Sequence, residues 1–105
     1  MFTLRWSSQA REQYDALKAA ALRQTAGRLA GLFKQVHKGL TFLAQNPRHP
    51  GLNTHKYASI RDPSGQGRDV FEAYAQNRTP GAYRIFFCYG PNRGEITIIA
   101  ITPHP

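Results

Sequence analysis

The stretch AYRIFFCYG, residues 82–90, is the most apolar and aromatic run of the chain, and one arginine, Arg84, interrupts it. Its length and its aromatic content predict a β-strand. Alternate side chains of a strand lie on opposite faces, so one face carries only large residues and the other combines Arg84 with Ala82, Phe86 and Cys88. A guanidinium is rarely buried without a partner, because its desolvation is costly. We therefore expect the second face to be open, or at most to form a cleft.

Two further strand-like runs flank this one, VFEAYAQ at residues 70–76 and EITIIAIT at residues 95–102. The links at residues 77–81 and 90–94 are typical of hairpin loops. The same alternation puts Glu72, Tyr74 and Gln76 on the face of Arg84. His104 follows the last strand and is expected within reach of that face. A purely structural Arg84–Glu72 salt bridge is the alternative explanation for the arginine, and the two roles are compatible.

The N-terminal half has a different periodicity. FTLRW, residues 2–6, alternates as a short half-buried strand, and Ser7 or Ser8 offers an N-cap hydroxyl for a helix. A second helix is predicted after Gly27, because apolar residues recur there at intervals of four, three, four and three. These residues are Leu29, Phe33, Val36, Leu40 and Leu43.

This element order predicts an α+β fold. Two N-terminal helices pack on one face of a twisted, mainly antiparallel sheet of four or five strands. The first strand joins the sheet at an edge or beside the last strand. At 105 residues, the chain is expected to form a single domain over residues 1–105.

Composition restricts the class of protein further. No apolar stretch reaches the roughly 18 residues that span a membrane, and the N-terminus lacks the pattern of a secretory signal. Cys88 is the single cysteine, so an intrachain disulfide is excluded and a cytoplasmic location is expected. No Cys or His spacing indicates a metal site, and no cofactor is expected.

The chain is strongly basic, with 14 Lys and Arg against six Asp and Glu and a formal net charge of +8. No acidic residue lies between Asp15 and Asp62. Such a field attracts nucleic acid or an acidic protein, although a basic surface without a partner would show the same imbalance. The residues that we consider for RNA contacts are Lys34, Lys38, Arg48, Lys56, Arg61 and Arg78.

Three segments together resemble the RelE/ParE superfamily of bacterial type II toxins: AYRIFF at 82–87, ITIIAITPHP at 96–105 and PRHPGLNTHKY at 47–57. The first resembles the family's YR-plus-apolar strand. The second resembles its last strand, which leads to a basic residue. The third resembles the stretch that follows its second helix. The resemblance implies the fold described above.

Ribosome-dependent members of that family cleave mRNA in the ribosomal A site without a metal, by attack of the ribose 2′-hydroxyl on the adjacent phosphate. By position, Arg84 matches the arginine that stabilises phosphate charge, and His104 matches a general acid. His55 and Lys56 fall near positions that hold RNA or the reacting hydroxyl. Glu72 is a candidate base, and Tyr74 is a candidate for stacking on a nucleobase. Pro103 departs from the family pattern just before His104.

The resemblance leaves two other functions open. One is inhibition of DNA gyrase, as in the ParE branch. The other is binding of RNA or of an antitoxin by a catalytically inactive member of the family. The joint presence of Arg84 and His104 favours the nuclease. In each case the implied partner is a cognate, neutralising antitoxin, with operator DNA bound only through the complex of toxin and antitoxin. The acid-free surface of residues 16–61 is suited to an acidic helix.

Overall fold

The computed structural model describes residues 1–23 and 27–104 and shows an α+β arrangement. A five-stranded sheet is covered on one face by two helices. Within the described residues, no helix combines the length and the apolar character needed to cross a bilayer. The elements in chain order are β1 (Thr3–Trp6), α1 (Ser8–Arg23), α2 (Arg28–Gln45), a 3₁₀ turn (Pro50–Leu52), β2 (His55–Lys56), β3 (Phe71–Tyr74), β4 (Tyr83–Tyr89) and β5 (Glu95–Pro103).

The sheet is mainly antiparallel, as predicted. β2, β3, β4 and β5 pair antiparallel in turn, and β1 lies parallel to β5 at the edge. The first strand therefore lies both at an edge and beside the last strand. A register irregularity in the β4–β5 ladder falls between Phe86 and Phe87.

The helices begin where the sequence predicts. The Ser7 hydroxyl accepts a hydrogen bond from the Ala10 backbone N–H at 3.0 Å and caps α1. Gly27 precedes α2 with a φ of 107°, a conformation that glycine adopts without steric cost. The buried residues of α2 are Leu32, Val36, Gly39, Leu40 and Leu43, so most of the predicted stripe is confirmed.

The main core lies between the helices and the sheet. The inward-facing residues of β4, Ile85 and Phe87, are fully buried there together with Ala73 of β3. The other face of the sheet was expected to be open, and this expectation is wrong. Phe86 and Cys88 are 0% exposed, because Tyr57, Ile60 and Val70 fold over them in a second, smaller core.

The segment that closes this face, residues 57–70, is held by a buried ion pair. The carboxylate of Asp62 accepts hydrogen bonds from Arg68 Nε at 2.8 Å and Arg68 Nη2 at 3.2 Å. It also accepts from the Ser64 backbone N–H and hydroxyl. The Arg68 guanidinium holds the pKa of Asp62 well below its usual range.

β3 is shorter than the predicted strand at residues 70–76 because it ends at Tyr74. The backbone N–H groups of Ala75 and Gln76 both donate to the carbonyl oxygen of Tyr83, which interrupts the regular ladder. The Gln76 side chain then donates to Gln35 of α2 at 2.8 Å. The prediction that Gln76 shares the face of Arg84 is therefore wrong, since the alternation stops before it.

Candidate active site

A buried carboxylate, Glu72, lies at the centre of the polar cluster on the sheet face away from the helices. Its side chain is only 2% exposed. Glu72 occupies the middle of β3, directly opposite His55 in β2 and Phe86 in β4. One carboxylate oxygen is hydrogen-bonded to an imidazole, and the other lies at ion-pair distance from a second imidazole. Such a carboxylate is stable in the interior because its partners replace the lost water.

His55 occupies one side of Glu72. Its Nε2 lies 2.8 Å from Glu72 Oε1, and its Nδ1 lies 2.8 Å from the carbonyl oxygen of Asn53. Asn53 has left-handed backbone angles, φ 47° and ψ 44°, that asparagine tolerates better than most residues, and it ends the 3₁₀ turn. Both ring nitrogens of His55 therefore contact acceptor oxygens, although its side chain is 44% exposed.

His104 occupies the other side of Glu72. Its Nδ1 lies 2.7 Å from Glu72 Oε2, and its side chain is 45% exposed. The His104 backbone N–H donates to the carbonyl oxygen of Ala82 at 2.8 Å, which continues the β4–β5 ladder beyond Pro103 and fixes the position of the residue. The ring of Tyr57 meets the imidazole edge-on, with the ring centroids 6.0 Å apart.

Arg84 lies beside this group but is itself buried, with a side chain only 10% exposed. Its Nη1 donates to the carbonyl oxygens of Gln76 at 2.6 Å and Tyr83 at 3.3 Å. Its Cζ lies 3.7 Å from the centroid of the Tyr74 ring, a cation–π contact. Arg84 Nε lies 3.7 Å from Glu72 Oε2, too far for a hydrogen bond, and has no other partner among the described residues.

The expected exposure of Arg84 is thus wrong for a physical reason. Two carbonyl oxygens, a carboxylate and an aromatic face together replace the water that the guanidinium loses. The Arg84–Glu72 ion pair exists as a diagonal contact, because Arg84 is paired directly with Tyr74. The Arg84–Glu72 ion pair therefore belongs to the same polar cluster as His55 and His104.

The predicted basic residues are dispersed around the site, and each is exposed. Lys56 follows His55 and lies 3.2 Å from Asp69. Lys38 lines a cavity of about 240 Å³ between α2 and β3 that Tyr74 also borders. Arg48 borders a different cavity, with Tyr89 and Thr54. Lys34 lies on α2, Arg61 in the segment 57–70 and Arg78 in the β3–β4 loop.

A hydrogen bond from His104 to Glu72 and the ion-pair contacts of Glu72 with His55 and Arg84 hold the cluster together. Across the described ranges, no group of three or more His, Cys, Asp or Glu has the arrangement of a metal site. The exposed imidazoles and the buried Glu72–Arg84 pair offer proton transfer and positive charge at a shallow surface, which suits chemistry on a phosphodiester.

No family sequence model matches the chain, and no curated protein matches it in sequence. Solved structures match along almost the whole chain. A YoeB/ParE toxin from Agrobacterium tumefaciens has a TM-score of 0.64 at 10% identity, with 100% of each chain covered. The chain has the RelE/ParE-like toxin fold. The resemblance indicated by the three sequence segments is thereby confirmed at the level of fold.

Two of the structures with this RelE/ParE-like fold are complexes or systems with a second protein. An archaeal RelE–RelB complex from Pyrococcus horikoshii matches with a TM-score of 0.56 at 15% identity, over 97% of this chain and 93% of that one. A chromosomal ParDE toxin–antitoxin system from Pseudomonas aeruginosa matches with a TM-score of 0.54 at 16% identity, over 100% and 98%.

Sequence reasoning missed two members of the site, Tyr57 and Asn53. Tyr57 follows His55 by two positions, so strand alternation would have placed the two side chains on one face. Asn53 acts through its backbone carbonyl, and only its preference for left-handed backbone angles marks the position. The sequence carries no signal for the carbonyl of Gln76, whose position depends on where β3 ends.

Proposed function

We propose that this chain is the toxin of a type II toxin–antitoxin system and that it cleaves mRNA on the ribosome without a metal. The observation that carries the proposal is the pair of half-exposed imidazoles, His55 and His104, on one buried carboxylate beside the Arg84 guanidinium. The fold supports the toxin assignment, and the resemblance to ribosome-dependent family members supports the substrate.

The proposed reaction is a transesterification within the RNA. The 2′-oxygen of one ribose attacks the adjacent phosphorus, and its proton passes to water. The bond from phosphorus to the 5′-oxygen of the next nucleotide breaks, and that oxygen takes a proton from His104 Nε2. The products are a 2′,3′-cyclic phosphate and a 5′-hydroxyl. Nδ1 of His104 is hydrogen-bonded to Glu72, whereas Nε2 has no hydrogen-bond partner among the described residues.

The charge of Arg84 favours the crowded, negatively charged phosphorane. A guanidinium in a poorly solvated position acts on a neighbouring charge more strongly than one in bulk water. Tyr74 covers Arg84 on one side and contacts the His55 ring edge-on at 5.9 Å. Its ring offers a surface on which a nucleobase stacks.

Glu72 serves a different role from the predicted base. Its Oε2 is hydrogen-bonded to His104, its Oε1 lies 2.8 Å from His55 Nε2, and its side chain is 2% exposed. A ribose 2′-hydroxyl has no access to it in this arrangement. We therefore propose Glu72 as a positioning residue for the two histidines.

The basic residues supply the RNA affinity. Lys38 and Tyr74 border one cavity, so RNA bound at Tyr74 passes the exposed Lys38 ammonium. Lys34 lies one turn earlier on the same helix. Lys56, Arg61, Arg48 and Arg78 add to the surrounding positive potential, which attracts the phosphate backbone regardless of sequence.

The proposed partner is an acidic antitoxin that neutralises the toxin in the cytoplasm and alone contacts operator DNA. The acid-free surface of residues 16–61 provides complementary charge. Strong induction of the chain is expected to arrest growth, and co-expression of the neighbouring open reading frame is expected to restore it. Normal growth at a high level of folded protein would contradict a toxin.

The deciding experiment compares two targets with the same purified protein. Ribosomes programmed with a defined mRNA are incubated with the protein, and the RNA ends are mapped by primer extension. DNA gyrase supercoiling is measured in parallel. We expect cuts within the A-site codon and no loss of supercoiling. Intact mRNA with inhibited gyrase would favour the ParE-like alternative, and no effect in either assay would favour the inactive, binding member.

A further inference from the structure

A cavity of about 410 Å³ lies between α1, the end of β5 and the segment 57–70, and it adjoins His104. Tyr57, which lines it, contacts the His104 imidazole edge-on, and Pro103, which also lines it, precedes His104 in the chain. Its volume is typical of pockets that hold a small organic ligand. We call it the β5 groove, and the lining residues that matter here are Gln13, Tyr57, Ile60, Arg61, Ile99 and Thr102.

The β5 groove combines apolar, aromatic and cationic groups. Ile60 and the buried Ile99 provide apolar surface, Tyr57 provides an aromatic ring, and the exposed Arg61 provides a positive charge. A nucleobase has flat faces that stack on aromatic rings and a polar edge, and it is joined to anionic phosphates. The chemistry of the groove therefore suits one nucleotide.

Gln13 is held in one orientation at this groove. Its Oε1 accepts a hydrogen bond from the backbone N–H of Ile101 at 2.7 Å. β1 pairs with β5 only as far as Ile98, so Gln13 supplies the acceptor that a neighbouring strand would otherwise give to Ile101. Because a backbone N–H bonds to the oxygen of a carboxamide, the NH₂ group of Gln13 is the half that a ligand meets. Gln13 thus offers a positioned donor.

The register of the sheet fixes where the β5 groove lies relative to the proposed catalytic group. Tyr74 of β3, Arg84 of β4 and Thr102 of β5 are direct cross-strand partners, so they form one row on the same face of the sheet. Strands lie about 4.8 Å apart, so the row spans roughly 10 Å. The β5 groove is at the Thr102 end, Tyr74 is at the other end, and Arg84 lies between them.

This order gives the bound RNA a direction. In the proposed reaction His104 protonates the 5′-oxygen of the departing nucleotide, so that nucleotide lies on the His104 side of the phosphate. The attacking 2′-oxygen approaches roughly in line from the opposite side of phosphorus. The two nucleotides that flank the phosphate therefore lie at opposite ends of the row.

We infer that the β5 groove holds the nucleotide on the 3′ side of the scissile phosphate, that the Gln13 NH₂ reads the edge of its base, and that the nucleotide on the 5′ side stacks on Tyr74. This deepens the proposed nuclease function and rests on it, because the direction depends on His104 as the general acid. Gln13 is then a specificity-determining residue, and Arg61 attracts the phosphate that follows.

Photo-crosslinking on the ribosome tests the direction. The cut site is first mapped with unmodified mRNA. Two further mRNAs carry a 2′-O-methyl ribose at that site, which removes the attacking hydroxyl, and a thiouridine on either its 5′ or its 3′ side. After irradiation the crosslinked peptides are identified by mass spectrometry. We expect the 3′ probe to label residues near Gln13 or Tyr57, and the 5′ probe to label residues near Tyr74.

Gln13→Glu tests the reading of the base. A carboxylate keeps the oxygen that Ile101 requires but removes the donor. Cleavage rates are compared for the four bases at the 3′ position. We expect the ratio between the best and the poorest base to fall roughly threefold to tenfold, the effect of one hydrogen bond. Gln66→Glu makes the same chemical change at an exposed position in the segment 57–70 and is expected to keep the wild-type ratio.

Reversed crosslinks, or a 3′ probe that labels nothing in the β5 groove, would overturn the inference. Equal wild-type rates for all four bases, or an unchanged ratio in Gln13→Glu, would overturn the role of Gln13. If that variant does not fold, the wild-type crosslinks and rates decide. A wild type that cuts mRNA but gives the wrong crosslinks refutes this inference alone, whereas a wild type that leaves mRNA intact refutes the nuclease and the inference together.

Discussion

Arg84 and Tyr74 face each other across adjacent strands, and the guanidinium carbon of Arg84 lies 3.7 Å from the centre of the Tyr74 ring. The face of the Tyr74 ring replaces part of the hydration that the Arg84 guanidinium loses on burial in the sheet. It also joins the group proposed to stabilise phosphate charge to the ring proposed to stack on RNA. One contact thus couples the stability of the fold to the proposed function.

Replacement of Tyr74 tests the energetic side of this contact. We expect Tyr74→Leu to lower the free energy of unfolding by about 1–2 kcal/mol, because a desolvated cation–π contact of this kind is lost. Tyr74→Phe is the matched control, since it keeps the ring, and it is expected to cost much less. Urea denaturation measures both. Equal losses of unfolding free energy in the two variants would show that the face of the Tyr74 ring does not stabilise the buried Arg84 guanidinium.

Replacement of Arg84 by lysine tests its function. An ammonium keeps the charge but lacks the planar fork that binds the carbonyls of Gln76 and Tyr83 while it stacks on Tyr74. We expect cleavage to fall roughly 100-fold, the effect of losing one preorganised group at a developing charge. Arg78→Lys, in the exposed β3–β4 loop, is the control. Undiminished cleavage by Arg84→Lys would show that cleavage does not require the guanidinium.

The ion pair that holds the segment 57–70 predicts acid sensitivity. Hydrogen bonds from Arg68 keep the pKa of Asp62 below its ordinary value of 3.8 in the folded chain. A carboxyl group with a lower pKa in the folded state stabilises the fold fully above that ordinary value. The contribution is lost as the pH falls from 3.8 toward the folded pKa. We expect the wild type to lose stability over this window.

Asp62→Asn is expected to be less stable than the wild type at pH 7 by about 3 kcal/mol, because the Arg68 guanidinium loses its buried partner. The variant should also lose this part of the acid dependence. Thermal unfolding followed from pH 7 down through the window below pH 3.8 measures both effects. A variant with wild-type stability and an identical pH curve would show that the pair does not hold the segment.

Two glycines of α2 provide a matched pair for the packing of helix on sheet. A Cβ at Gly39 would lie 3.0 Å from Ile85 Cδ1, a fully buried core atom, whereas a Cβ at Gly31 would meet nothing within 4 Å. We expect Gly39→Ala to destabilise the chain by about 1–2 kcal/mol through overpacking. Gly31→Ala should stabilise it by about 0.5–1 kcal/mol through helix propensity. Denaturant midpoints give the sign of each change, and a stabilising Gly39→Ala would contradict the close approach.

The part of the fold that was predictable from sequence depends on periodicity. The spacing of four and three in α2 and the alternation through Tyr83, Ile85 and Phe87 fix which side chains form the main core. These patterns are local and repeat several times, so a single exception does not obscure them. The helix caps at Ser7 and Gly27 were visible for the same reason, since each is a local property of the chain.

The closed second face was not predictable, because it depends on contacts between distant segments. Tyr57, Ile60 and Val70 show no periodicity, and they cover Phe86 from the segment that contains the Asp62–Arg68 ion pair. Burial of Arg84 depends in turn on the end of β3 at Tyr74 and on the carbonyl of Gln76. The sequence identified the residue types of the site, but it did not show that Glu72 bridges the two histidines.

The most direct test of the account is the rate at which ribosome-bound mRNA is cut by the wild type and by His104→Asn, with His37→Asn on the exposed side of α2 as control. We expect A-site cleavage that leaves a 2′,3′-cyclic phosphate and a 5′-hydroxyl. We expect a loss of about 100-fold or more in His104→Asn and none in His37→Asn. Cleavage by His104→Asn at the wild-type rate would contradict the proposed role of His104 as general acid.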